Sequence, residues 1–222
     1  MTSLNLAEIC PNSRTLGPGN RFIIWVQGCC FRCRDCISPE WIPQKTATLV
    51  SPQRLGDLIL STADIEGITI SGGEPMLQAA ALSELLAYLR SHSDLSAICY
   101  SGFTLSQLRQ KSDRDIEALL AKLDVLIDGQ YIPELNDNRG WRGSQNQTVH
   151  FLTSRYRHQA EKFTQRRRDV EIHIRNEEAL MVGVPPHNFR ETFHQAIDIS
   201  IKQLGFRVVQ IFVKFLNVWR RI

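Results

Sequence analysis

The chain has 222 residues, 43% of them apolar and 22% charged, with a formal net charge of +3. That is enough for one good-sized α/β domain with a short extension, and a balance so near neutral gives no argument for nucleic acid or membrane. The first ten residues lack the basic start and apolar run of a secretion signal, so a reducing cytoplasm is the expected setting.

Arg21 to Gln27, "RFIIWVQ", is rich in β-branched and aromatic residues and predicts a buried strand. A cysteine-rich loop, "GCCFRCRDC", follows at once. Ser51 as N-cap and Pro52 at the first helical position predict a helix through "QRLGDLILSTAD". Short strands then alternate with helices. "GITIS" (67–71) leads through a glycine turn into the helical "MLQAAALSELLAYLRSH", and "SAICYS" (96–101) leads into a helix whose capping box is Thr104 and Gln107. A helical stretch from Asp113 to Lys122 precedes the strand "LDVLID" (123–128).

Further on, Pro133 to Gln147 predicts a polar surface loop, and Arg155 to Arg168 a basic, solvated helix face. "VEIHIR" (170–175) alternates with period two and pairs with "ALMVGV" as a hairpin. The apolar stretch 204–222 is broken by Arg207, Gln210, Lys214 and Asn217, which favours an amphipathic helix or packing strand over a membrane span. Strands alternating with helices predict βα units on a parallel sheet, open or partly closed into a barrel. The cysteine loop, "SGGEP", "YSGFT" and "IDGQ" all follow strands, so all four belong at the C-terminal edge, where parallel sheets bind ligands.

Four of six cysteines lie between Cys29 and Cys36. Disulfides, zinc and an iron–sulfur cluster are the choices, and bridges within so tight a run are geometrically awkward. Cys29-x3-Cys33-x2-Cys36 offers three thiolates. That is one too few to close a structural zinc site, and on a [4Fe–4S] cube it leaves one iron open. Cys30 reads as a thiol that is not a ligand, and Cys10 and Cys99 as small buried residues. The six histidines form no ligand pair with helical spacing.

This cysteine spacing after a first strand, with "SGGEP" after a second, resembles the radical S-adenosylmethionine (SAM) enzymes over roughly residues 13–186. "LGPGNRFIIWVQGC", "YSGFTLSQL", "DVLIDGQYI" and "WRGSQNQ" are similar to segments of the proteins that activate glycyl-radical enzymes, above all those of anaerobic ribonucleotide reductase. The resemblance implies an α/β fold, a partial (β/α)6-type barrel over 1–186, with a C-terminal extension over 187–222. It implies a [4Fe–4S] cluster on Cys29, Cys33 and Cys36, with SAM chelating the fourth iron through its amino and carboxylate groups. Gly72, Gly73, Glu74 and Pro75 would receive the SAM amino group. Ser101, Asp128, Gly129 and Gln130 would line the pocket near ribose and methionine, and Asp35 and Ile37 would contact adenine mainly through backbone.

The implied reaction is reductive cleavage of SAM to methionine and a 5′-deoxyadenosyl radical, which takes hydrogen from a backbone glycine of a partner enzyme. A flavodoxin- or ferredoxin-like donor would supply the electron. No acid–base residue is required, and the protein must position SAM and exclude water and oxygen. Two other readings stand beside this one. A small-molecule radical SAM enzyme of the 7-carboxy-7-deazaguanine synthase type would share the motifs, and a non-catalytic zinc or nucleic-acid-binding module would use the cysteines structurally.

Overall fold

The computed structural model describes residues 2–175 and 178–187, together with residues 189, 192, 193 and 195. The readings of the stretch 204–222 and of most of the extension 187–222 lie outside the described residues. Seven strands form one sheet in the order β3–β1–β2–β4–β5–β6–β7. Its centre is parallel: β2 (Arg21–Val26), β4 (Gly67–Gly72), β5 (Ser96–Ser101) and β6 (Val125–Asp128). Its flanks, β1 (Leu4–Ser13) with β3 (Thr48–Val50) on one side and β7 (Thr148–Phe151) on the other, are antiparallel.

Every residue of β2 is buried, as a strand covered on both faces requires. On one face Phe22, Ile24, Ile68 and Ile70 pack against α1 (Pro52–Leu60), α2 (Ala79–His92) and α4 (Arg114–Leu120) through Leu55, Leu82, Leu85 and Leu119. On the other, Ile23 and Trp25 meet Val182 of a hairpin made by β8 (Val170–Arg175) and β9 (Glu178–Gly183). Beside them Ile98, Val125 and Ile127 meet Trp141 and Phe163, the latter on α5 (Ala160–Gln165).

Local signals placed the helices. Ser51 Oγ accepts the Arg54 N–H and Pro52 opens α1. Thr104 and Gln107 form the reciprocal capping box of α3 (Leu105–Gln110), and Asp113 caps α4. The α/β expectation holds for a mixed sheet in which four of the seven strands, β2, β4, β5 and β6, run parallel. No α-helix lies between β6 and β7; the loop 129–147, with one short 3-10 turn, returns the chain as antiparallel β7. That loop is no mere surface excursion, since Trp141 and Ser144 are buried within it. The basic run is likewise not a solvated helix: only 160–165 is α-helical, and Arg168 is buried.

The fully buried Arg21 knits the N-terminal end of the parallel strands. Its Nε donates to Thr69 Oγ1 at 2.7 Å, and Nη1 to Ser96 Oγ at 2.9 Å, Pro18 O at 3.1 Å and Tyr156 Oη at 3.2 Å. Nη2 donates to Ile68 O and Ser96 O. All these partners are neutral, so burial pushes the guanidinium pKa down while Tyr156 opposes the shift. A Cβ on Gly17 or Gly67 would lie 2.8 Å from Arg21 Cδ or 2.7 Å from its Nη1, so both glycines make room for this side chain. Arg21→Lys, with three donors instead of a five-donor fork, should cost about 3 kcal/mol in urea unfolding of the cluster-free protein, and Tyr156→Phe about 1 kcal/mol.

Candidate metal centre

The loops that follow β2, β4, β5 and β6 border one cleft of about 1170 Å³ at the C-terminal edge of the sheet. Cys29, Cys33 and Cys36 all line it; Cys30 is exposed and does not. Backbone bonds tie the neck of the cysteine loop: Gly28 N donates to Trp41 O and Cys29 N to Ile42 O, each at 2.9 Å. Gln27 Nε2 reaches Pro43 O at 2.7 Å, and Trp41 packs on Trp25 with ring centroids 5.5 Å apart. Within the loop the Phe31 N–H donates to Cys29 Sγ and Cys36 N donates to Cys33 O at 3.3 Å. Asp35 takes a left-handed turn conformation, φ 56°, between the second and third cysteines.

Among the described residues, no three His, Cys, Asp or Glu side chains converge tightly enough to hold a single metal ion. Cys29, Cys33 and Cys36 nonetheless bring three soft sulfur donors from one loop to the same cleft. Cys29 is the most encumbered of them. Burial pushes its thiol up to about 11, against the Phe31 N–H, with a smaller upward push from Glu74.

The "SGGEP" turn is docked directly on this loop. Gly73 N donates to Val26 O and Glu74 N to Gly28 O, both at 2.8 Å. A Cβ on Gly73 would sit 2.1 Å from Gly28 O, and one on Gly72, whose φ is 106°, 2.5 Å from Val26 N. These glycines exist first to let two backbones touch. Glu74 borders the cleft, but it is only 1% exposed. Its Oε1 accepts the Met76 N–H and the Ser101 hydroxyl, each at 2.9 Å, and Oε2 accepts the Gly102 N–H at 2.7 Å. Burial raises its pKa and these donors oppose the shift. Three protein donors thus fix this carboxylate at the edge of the cleft.

Asp35, Ile37, Gly72, Gly73, Ser101, Gly129 and Gln130 also line the cleft, and Gln130 Oε1 lies 3.9 Å from Cys33 Sγ. Pro75 and Asp128 do not. Pro75 is buried and starts a short 3-10 turn. Asp128 is buried with its Oδ2 accepting from the Leu105 N–H and lying 2.7 Å from His150 Nε2, so it joins β6 to α3 and β7. Sequence reasoning missed Phe31, whose ring packs edge-on against Phe103 at 4.7 Å and fills the space a Cβ on Gly102 would need. The signal was present in an aromatic inside the cysteine run and the "SGF" after β5.

Residues 15–150 match the family described as a 4Fe-4S single cluster domain. The chain belongs to this family. It is 32% identical over 163 residues to an anaerobic ribonucleoside-triphosphate reductase-activating protein of Vibrio cholerae, covering 68% of this chain and 99% of that protein. It is 28% identical over 151 residues to the activating protein of the same name from phage T4, covering 66% and 93%. A putative glycyl-radical enzyme activating enzyme of Haemophilus influenzae is 41% identical over 101 residues, 44% of this chain and 38% of that one. Among the described residues of this single-cluster protein, no helix is long and apolar enough to cross a membrane.

Gly73→Ala should destabilise the cluster-free protein by about 3 kcal/mol and lower the iron bound per chain on reconstitution. Gly129→Ala, whose Cβ would meet nothing closer than 3.7 Å, should cost only the strain of φ 101°, about 1 kcal/mol. In the cluster-free protein, alkylation of Cys29 should speed up about tenfold per pH unit from about pH 7 to 9, because the thiolate fraction climbs tenfold per unit below the pKa. A plateau in that range, read by peptide mass spectrometry, would contradict the placement of Cys29.

Proposed function

We propose that this chain is a radical SAM activating enzyme that generates a glycyl radical on a partner, an anaerobic ribonucleoside-triphosphate reductase. The observation that carries the reading is the set of three cysteines on one strand-following loop, Cys29, Cys33 and Cys36, all lining a cleft with room for a further ligand. The activating-protein names of the relatives support it. When bound, the [4Fe–4S] cluster supplies the electron that cleaves the SAM sulfonium, received from a flavodoxin- or ferredoxin-like donor.

The chain's own residues hold, orient and screen. Cys29, Cys33 and Cys36 supply three anchors, leaving one corner for a small chelating ligand. Backbone carbonyls of the Gly72–Gly73 turn receive the SAM ammonium, a role that needs no side chain. Ser101, Gly129 and Gln130 border the methionine and ribose end, and Asp35 and Ile37 border the adenine. Trp25, Trp41, Phe31 and Tyr100 wall the cleft with aromatic surface, which excludes water from a radical reaction. No proton needs to be taken from substrate by a base, and no side chain is assigned that part.

Anaerobic reconstitution with iron and sulfide, then SAM and a low-potential reductant, should yield 5′-deoxyadenosine. Adding the reductase should produce a doublet glycyl radical signal on that partner. Cys33→Ala should abolish the brown colour and lower SAM cleavage at least about a thousandfold. Iron and sulfide bound without SAM cleavage would overturn the reading. A new soluble product with no radical on the reductase would move the substrate to a small molecule.

A further inference from the structure

Arg168 ends the basic run, yet it is only 5% exposed and its guanidinium is spent on protein acceptors. Nη2 donates to Arg142 O at 2.6 Å and Gly143 O at 3.0 Å. Nη1 donates to Asn136 Oδ1 at 2.7 Å and Pro185 O at 3.3 Å, and Nε to Arg139 O at 3.3 Å. The Asp137 carboxylate stands 3.7 Å away. One side chain thus holds both the loop 129–147 and the segment after β9, and both border the cleft.

The hold is passed on toward the cysteines. The Gly143 N–H donates to Gln147 Oε1 at 2.6 Å, and Gln147 Nε2 donates to Gly129 O at 2.7 Å. Asn146 Nδ2 donates to Gln130 O at 2.8 Å, and Gln130 reaches Cys33. The loop has little regular structure of its own: a short 3-10 turn over Pro133–Leu135, and a single β-bridge from Arg139 to Arg167 with backbone bonds from Gly140 and Trp141 beside it. A loop of that kind moves unless side chains tie it down. A rigid guanidinium fork binding several carbonyls at once suits that task, and a point-charge ammonium does not. Arg168 also lies past residue 150, where the match to the family ends.

We propose that Arg168 is a positioning residue of the cleft: from behind the 129–147 loop it fixes the wall that faces the cysteine loop, without touching that loop itself. The inference rests on the proposed function only for what the cleft holds. Its first test therefore uses the cluster-free, full-length protein. Hydrogen–deuterium exchange in Arg168→Gln should rise about tenfold or more across 129–147 while α2 keeps its wild-type protection, and Arg168→Lys should recover part of the loss. Should Arg168→Gln fail to fold, Arg168→Lys and Gln147→Ala, which cuts the same network at its far end, carry the test.

After reconstitution, the KM for SAM should rise about tenfold with kcat within about a factor of two. Unchanged exchange in 129–147 would overturn the proposal, and so would an equal rise through the whole sheet or a fall in kcat at constant KM, the marks of general destabilisation. Failure of the wild-type protein to cleave SAM would sink the functional reading and leave the exchange result standing.

Discussion

Two backbone turns in direct contact, Gly28 of the cysteine loop and Gly73 of the turn after β4, set the geometry on which the site depends. Two hydrogen bonds at 2.8 Å, from Gly73 N to Val26 O and from Glu74 N to Gly28 O, extend the pairing of β2 and β4 past the ends of the strands. A loop that must present three sulfurs cannot be set by side-chain packing alone, because packed side chains hop rotamers and loops relax. Backbone bonds at its root and at its neck remove that freedom. Any Cβ at Gly73 would force the turns apart. The requirement for glycine there is therefore steric before it is chemical.

The buried polar groups divide by height along the strands. At the N-terminal end Arg21 meets only neutral oxygens and holds β2, β4 and β5 in register. At the C-terminal end Glu74 and Asp128 act as acceptors for backbone N–H groups at the start of the next loop or helix. Each buried carboxylate joins elements that would otherwise end in orphaned donors, and the low dielectric that makes an unpaired group costly makes these paired ones rigid. The cleft at that edge is lined by backbone, cysteine sulfur and aromatic surface together with polar side chains such as Arg32, Asp35, Ser101 and Gln130.

What was legible in the sequence followed from short-range physics. Ser51, Thr104 and Asp113 cap helices through contacts two or three residues away, so residue type and spacing identify them. The cysteine spacing and the alternation of strands with helices likewise need no tertiary knowledge to read. β1 was missed because Pro11 and two register irregularities break its alternation, and β7 because four residues after a polar loop carry little pattern. The burial of Glu74, Asp128 and Arg168 depends largely on donors and acceptors far along the chain, such as Gly102, Leu105 and Arg142, which no local window contains.

The segment past residue 150 also changes what the cleft is. The match to the single-cluster family ends there, and the Vibrio cholerae relative is covered almost whole by 68% of this chain. The added residues do not stand apart from the core. Val182 is buried against Ile23 and Trp25 of the sheet, Phe163 against Trp141, and Arg168 inside the loop after β6. Ile172 and Met181, cross-strand partners on one face of the β8–β9 hairpin, line the same cleft as the cysteines. The hairpin and the segment after it thus add Ile172, Ala179, Met181 and Pro185 to the lining of the cleft that the cysteine loop borders.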